Sequence, residues 1–198
     1  MKNKNLFTGV LLIAMTVTLF SFDLPTGWFK AGDKPSSYEM GLDKGAGRDG
    51  KNAATIKSID KKIDGFGTLM QDCLPDKYLG KRVRMSGWVK TKDVSEWSGL
   101  WLRIDQKDSK AGRSFDNMHD GKKDRSIKGT TDWAKYEIVL DVSTDATNMG
   151  YGALLSGTGQ IWFTNLTFEV VDNTVPTTGK DRETKILNKE PVNLNFDN

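Results

Sequence analysis

One cysteine and one histidine in 198 residues exclude more chemistry than any other feature of the chain. Cys73 alone cannot close an internal disulfide, and with His119 as the sole imidazole no His cluster can ligate zinc. A Ser-His-Asp arrangement would have to draw on the Asn117-Met118-His119-Asp120-Gly121 loop, and Ser156 in Leu155-Ser156-Gly157 lacks the G-x-S-x-G spacing of a nucleophile elbow. Gly157-Thr158-Gly159 is followed by neither Lys-Ser nor Lys-Thr, so it is no phosphate cradle. Charge of one sign is missing too. Lys and Arg number 29 against 26 Asp and Glu, a formal net charge of +3, and the two signs interleave, as in Lys107-Asp108-Ser109-Lys110 and Lys122-Lys123-Asp124-Arg125. Mixed charge of this kind reads as solvated loop and provides no basic stripe for nucleic acid. Sustained helical periodicity is absent. Only Asp72 to Leu79, Asp93 to Trp97 and Asp145 to Asn148 are helix-like, each about one turn long.

What is present begins with an apolar run. Lys2 and Lys4 form a short basic region ahead of Leu6 to Phe20, which is nearly uninterrupted hydrocarbon. The run falls short of the ~20 residues that cross a bilayer as a helix, so residues 1–21 are expected to be an export signal. Thr18-Leu19-Phe20-Ser21-Phe22 offers no small-x-small cleavage site, which leaves an uncleaved membrane anchor as the alternative. No other membrane contact is expected, and export predicts a secreted, periplasmic or cell-surface protein. In that compartment the lone Cys73 is expected to be a small core hydrophobe rather than a nucleophile.

From Pro25 to Asp172 the chain reads as strands between turns. Val83, Met85, Gly87 and Val89 alternate with Arg82, Arg84, Ser86, Trp88 and Lys90, the period of a half-buried strand. Leu100, Leu102 and Ile104 alternate likewise with Trp101, Arg103 and Asp105, and Tyr136, Ile138, Leu140 and Val142 share a face. Further segments lie at Ser37 to Leu42, Asn52 to Ile59, Gly65 to Cys73, Asn148 to Leu155 and Gln160 to Val171. Gly45-Ala46-Gly47, Asp49-Gly50, Pro75-Asp76, Lys128-Gly129 and Ser156-Gly157-Thr158-Gly159 supply the turns. About nine short strands with so little helix predict an all-β, two-sheet sandwich over residues 22–173. Residues 174–198 are polar and charged for most of their length and read as a linker and tail. Within that tail Phe196-Asp197 echoes Phe22-Asp23, as the opening strand of a second module would.

A series of short motifs points further. Gly27-Trp28-Phe29, Tyr38-Glu39-Met40-Gly41, Gly65 to Gln71, Tyr78 to Val83, Ser114-Phe115-Asp116-Asn117-Met118, Gly129 to Trp133 and Gly159-Gln160-Ile161-Trp162-Phe163 occur in this order. Together they resemble a bacterial jelly-roll module of the galactose-binding-like class, similar in layout to carbohydrate-binding modules of families 4, 9 and 22. Such modules stand alone as exported proteins, beside hydrolase or esterase domains, and in chains classed as transcription regulators. The resemblance implies a non-catalytic binding module for carbohydrate or a cell-surface glycan. The alternative is a sensing or protein-interaction module, which predicts an apolar exposed patch instead of a polar aromatic cleft.

A sugar site needs aromatic faces for the apolar side of a pyranose and planar polar groups for its hydroxyls. The strand with Trp101, Arg103 and Asp105 carries both on one face, and a sugar site there predicts Trp101 exposed beside Arg103. The family layout adds Gln71, Arg84 and Trp88 if their strands share that sheet, with Asp116 and Asn117 closing one side. Trp28, Trp133 and Trp162 are expected in the core or at sheet edges. A carboxylate pair such as Asp105 with Asp116 could hydrolyse a glycoside only at a suitable separation, and no enzyme activity is expected. No cofactor is expected beyond a structural calcium that the resemblance implies, held by Asp23, the Asp49-Gly50-Lys51-Asn52 loop and Asn165. Thr164-Asn165 stands where such modules tend to carry Asp-Asp, which removes charge a hard cation wants.

Overall fold

The computed structural model describes residues 22–107 and 114–180. The segments expected to be an export signal and a tail strand lie outside the described residues. Among the described residues nine strands run in chain order: β1 (Phe29–Gly32), β2 (Tyr38–Asp43), β3 (Ala53–Ser58), β4 (Phe66–Cys73), β5 (Arg82–Gln106), β6 (Ser114–Asp116), β7 (Ile127–Asp141), β8 (Ala146–Ser156) and β9 (Gln160–Val171). All pairings are antiparallel. Among the described residues the only helical segments are three short 3₁₀ turns at Pro35–Ser37, Arg48–Gly50 and Asp76–Tyr78.

The predicted segments from Ser37 to Cys73 and from Asn148 onward become β2, β3, β4, β8 and β9. The stretch between them differs. Arg82 to Gln106 is one strand of 25 residues, and Asp93 to Trp97, read as helix-like, is a bend inside it. Three register shifts against β7 fall between Val89 and Ser98, and Asp93 adopts a left-handed φ of 51°. Bulges of this kind sharpen strand twist, so the ladder turns instead of breaking. The bend is held by Asp93 N–H donating to Thr130 Oγ1 at 3.0 Å and Ser95 N–H to the Thr158 carbonyl at 3.0 Å. As a result the first half of β5 pairs with β7 and β9, and the second half with β8 and β6. Two sheets follow, a front sheet β1-β4-β8-β5-β6 and a back sheet β2-β3-β9-β5-β7.

Between the sheets lie the residues that alternation assigned inward. Val83, Met85, Val89, Leu100, Leu102, Ile104, Ile138 and Leu140 are buried, with Met40, Ile56, Leu69, Met149, Leu155, Ile161 and Phe163 from the other strands. Fully burying each such side chain contributes about 1.5–3 kcal/mol before the entropy of ordering it. Trp28 joins this core against Tyr151 and Phe163, ring centroids 5.9 and 5.6 Å away. Cys73 is half-buried against the same cluster, and burial, then the neighbouring Asp72 charge, pushes its thiol pKa up, which keeps it protonated and unreactive.

The sandwich does not end at residue 173. Thr178 N–H donates to the Val139 carbonyl and Val139 N–H to Thr178 Oγ1, both at 2.9 Å, while Arg82 Nη1 donates to the Asn173 and Val175 carbonyls. Residues 174–180, read as linker, therefore strap the outer edge of β7.

Tyr38 closes the top of the core. Its ring occupies space beside Gly67, where a Cβ would lie 2.5 Å from the ring, and its hydroxyl reaches the Gly157 carbonyl at 2.9 Å and the Gly65 carbonyl at 3.2 Å. Burial, and secondarily Glu96, raises its pKa from 10.0 to about 12. The folded phenol resists ionisation, so its contribution is intact below pH 10, the unfolded value, and is lost as pH rises toward 12. Tyr38→Phe is expected to cost about 1 kcal/mol at neutral pH. In urea melts the gap between wild type and this variant narrows above pH 10; a gap independent of pH would show that Tyr38 is not the titrating group.

Candidate functional site

The outer face of the front sheet holds a cleft of about 550 Å³. Strand register orders it. Phe66, Ser156 and Trp97 form one row, Thr68 and Leu154 the next, then Phe29, Met70, Gly152 and Trp101, then Asp72, Gly150 and Arg103 with Phe115, and last Asn148 with Asp105. Met70, Leu154 and Trp101 are buried at its floor, and Phe66, Trp97, Phe115 and Ala31 are half-buried around them. This second apolar cluster lies across the sheet from the core.

Trp101 is sunk into the floor. Its exposure is 5%, its Nε1–H donates to Thr68 Oγ1 at 2.8 Å, and Thr68 Oγ1 donates in turn to the Ala153 carbonyl at 2.8 Å. Gly150 lies against it: a Cβ there would stand at ordinary contact distance from the six-membered ring, 3.4 Å, but only 2.8 Å from Asp72 Oδ1. The expected exposed platform is thus absent at Trp101, and the accessible aromatic surface belongs to Trp97, Phe66 and Phe115 around the cleft, with exposed Phe29 at the sheet edge beyond Met70. Trp97 is stiffened by His119, stacked at 4.6 Å between centroids.

The polar end is a closed network. Arg103 Nε and Nη2 donate to Asp105 Oδ2 at 3.1 and 3.0 Å, and Asn148 Nδ2 donates to Asp105 Oδ2 at 3.1 Å and to Asp72 Oδ1 at 3.3 Å. Trp101, Arg103 and Asp105 therefore share one face, as their alternation predicts. Asn117 lines the cleft with Asp120, but its Oδ1 accepts from the His119 and Asp120 N–H groups and its Nδ2 donates to Asp120 Oδ2 at 2.9 Å, so much of its bonding capacity holds the loop.

The other expected members are elsewhere. Gln71 lies in β4 but on the inward parity, accepting from the Tyr151 hydroxyl and donating to the Gly27 carbonyl at 3.2 Å. Arg84 and Trp88 belong to the first half of β5 and so to the back sheet. Arg84 pairs there with Glu137 at 3.2 Å and Glu169 at 2.9 Å, and Trp88 lies under the Arg48 guanidinium. Asp116 is fully buried, accepting from Met118 N–H at 2.7 Å and paired with Arg125. It faces the core beside Leu102, so Asp105 and Asp116 form no carboxylate pair across a substrate. Trp133 and Trp162 are half-buried on the outer side of the back sheet, while Trp28 packs in the core as expected.

Calcium finds no cage in the residues expected to hold it. The Asp23 carboxylate is exposed and faces the Lys44 ammonium at 3.3 Å, Asp49 sits in a left-handed turn, and Asn165 occupies a bulge of β9 with φ 53°. Among the described residues no three His, Cys, Asp or Glu side chains come together. That donor set does not fit a hard cation that takes six to eight oxygens.

No family model matches the chain. A xylan-binding family 22 module from Paenibacillus barcinonensis Xyn10C superposes with a TM-score of 0.51 at 13% identity, over 75% of this chain and 88% of that one. The fold is that of carbohydrate-binding modules. It is also the fold of the Stig cyclase Fisc from Fischerella sp. TAU, TM-score 0.50 and 13% identity over 79% of this chain and 92% of that one. Fold alone therefore does not separate binding from catalysis. In sequence the chain is 41% identical over 172 residues to an uncharacterized HTH-type transcriptional regulator, YbfP, of Bacillus subtilis, covering 86% of this chain and 56% of the regulator. The chain thus spans little more than half the length of that relative.

Two stability outcomes follow from the site. Thr68→Val leaves the Trp101 indole N–H unpaired and is expected to cost about 1–3 kcal/mol with a shifted Trp101 emission. Asp116→Ala strands Arg125 and is expected to cost about 3 kcal/mol in urea denaturation, with Asp116→Asn intermediate. Wild-type midpoints for both alanine and valine variants would contradict these roles.

Proposed function

We propose that this domain is an exported, non-catalytic module that binds carbohydrate in the front-sheet cleft. The observation that carries the reading is the juxtaposition, on one sheet face, of half-buried Trp97, Phe66 and Phe115 with the Arg103-Asp105-Asn148 network. Aromatic rings suit the apolar face of a pyranose, and the fixed polar groups suit its hydroxyls. The carboxylates around the cleft are already engaged: Asp105 by Arg103 and Asn148, Asp120 by Asn117. That supports binding over hydrolysis, which needs an acid and a second carboxylate free to flank a bond. Export rests on the apolar segment of residues 6–20.

The likeness to a HTH-type regulator favours a second reading, in which the same cleft senses a small ligand. Isothermal titration calorimetry with neutral soluble polysaccharides and oligosaccharides separates the two. Binding is expected to weaken at least about tenfold in Trp97→Ala and Arg103→Ala, the size of a lost central contact. Gln71→Ala and Arg84→Ala, whose side chains lie on other faces, are expected to bind as wild type. Absence of binding to every glycan by the folded protein, or equal loss in all four variants, overturns the cleft as a carbohydrate site.

A further inference from the structure

The outer face of the back sheet carries a second aromatic group that the cleft does not use. Trp162 on β9 stands in register with Lys90 on β5, whose Nζ lies 5.7 Å from its ring, and Trp162 Nε1–H donates to Asp43 Oδ2 at 2.8 Å. One row further along β5, Trp88 is in register with Lys135 of β7 and lies under Arg48, 3.6 Å from guanidinium carbon to ring centroid. Two residues before Lys135, half-buried Trp133 falls on the same face. Lys57 and Lys92 flank Gln160 in the row beyond Trp162, and both are exposed.

The charge here is one-sided, unlike that of the chain as a whole. No ion pair is formed by Arg48, Lys57, Lys90, Lys92 or Lys135 among the described residues, whereas lower on the same face Arg82 and Arg84 are paired with Asp141, Glu137 and Glu169. The acidic groups of the upper rows on β2 are Asp43, bonded to Trp162, and Glu39, opposite Lys57. Four strands from β3 to β7 spread the cations over about 14 Å, an oligosaccharide's length and more than a single ring.

We propose that this face is a second binding surface, for an anionic polysaccharide. Half-buried Trp162 and Trp133 provide flat surfaces for sugar rings, and the ammonium groups, with the Arg48 guanidinium seated on Trp88, provide the charge complement. The outward positions of these rows are Trp, Lys, Thr and Gln, with no aliphatic side chain to enter a bilayer, which favours a polymer over a lipid surface. This face lies across the sandwich from the cleft, and the proposal does not depend on the cleft's ligand.

Affinity electrophoresis of the protein through gels containing polygalacturonate, with neutral xylan gels and phosphatidylglycerol vesicle sedimentation as the other arms, tests it. Retardation by polygalacturonate is expected, weakening about tenfold or more from low to physiological salt as counterion release requires. The double variant Lys90→Gln/Lys135→Gln, at one half-buried and one exposed position, loses most of the retardation, Lys90→Arg/Lys135→Arg keeps it, and the cleft variant Arg103→Ala is unaffected. The proposal is overturned by lack of retardation in wild type, by retardation that the Gln pair does not change, or by sensitivity of vesicle binding alone to that pair. Loss in Arg103→Ala with no loss in the Gln pair would instead assign the polymer to the cleft.

Discussion

Continuous pairing of β5 through both sheets is the constraint on which the rest of this molecule depends. A sandwich made of two separate sheets has to be held by packing alone. Here one backbone ladder passes from the back sheet to the front, so the relative placement of the sheets is set by hydrogen bonds at the bend around Asp93 to Ser98 as well as by the core. The front half of β5 then delivers Trp97, Trp101, Arg103 and Asp105 to one face at alternate positions, and the back half delivers Trp88 and Lys90 to the opposite side of the protein. Both candidate surfaces are consequences of a single strand changing sheets.

The same fact explains what the sequence could and could not disclose. Period-2 alternation is a local property, and it correctly separated Val83, Met85 and Val89 from Arg84 and Trp88, and Leu100 and Leu102 from Trp101 and Arg103. Sheet membership is not local. Nothing in the alternation of residues 82–90 reveals that their outward face points away from that of residues 99–105, so Arg84 and Trp88 were legible as outward but not as distant from Trp101. Gln71 failed differently: its strand lies in the expected sheet, with its parity reversed. Trp97 was within reach, since it continues the outward series of Gly99, Trp101 and Arg103, but the polar Asp93 to Glu96 stretch resembles a turn and hides the strand that carries it.

Asp116 and Phe115 show the limit of reading chemistry from residue type. A carboxylate beside an aromatic at a strand end suggests a ligand contact, yet in register with Leu102 it is the acid that faces inward and the ring that faces the cleft. Burying that acid is tolerable because Arg125 and the Met118 N–H satisfy it. The polar end of the cleft follows similar logic at the surface, where Arg103, Asp105 and Asn148 hold one another and so present few adjustable groups. Such a site gains shape selectivity from rigidity and gives up the freedom to rearrange around different ligands.

Gly150 carries a consequence for how such a cleft can diversify. The position lies between the polar end and the floor: a Cβ there would stand 2.8 Å from Asp72 Oδ1, too close to be tolerated without a shift, and at ordinary contact distance, 3.4 Å, from the Trp101 ring. A methyl group there would displace the Asp72 carboxylate, which accepts from Asn148, and so loosen the polar end of the cleft while the indole stays in the floor. Within one unchanged fold, a single position of that kind sets how closely the polar end and the aromatic floor approach each other, so a change there reshapes the cleft without touching the core.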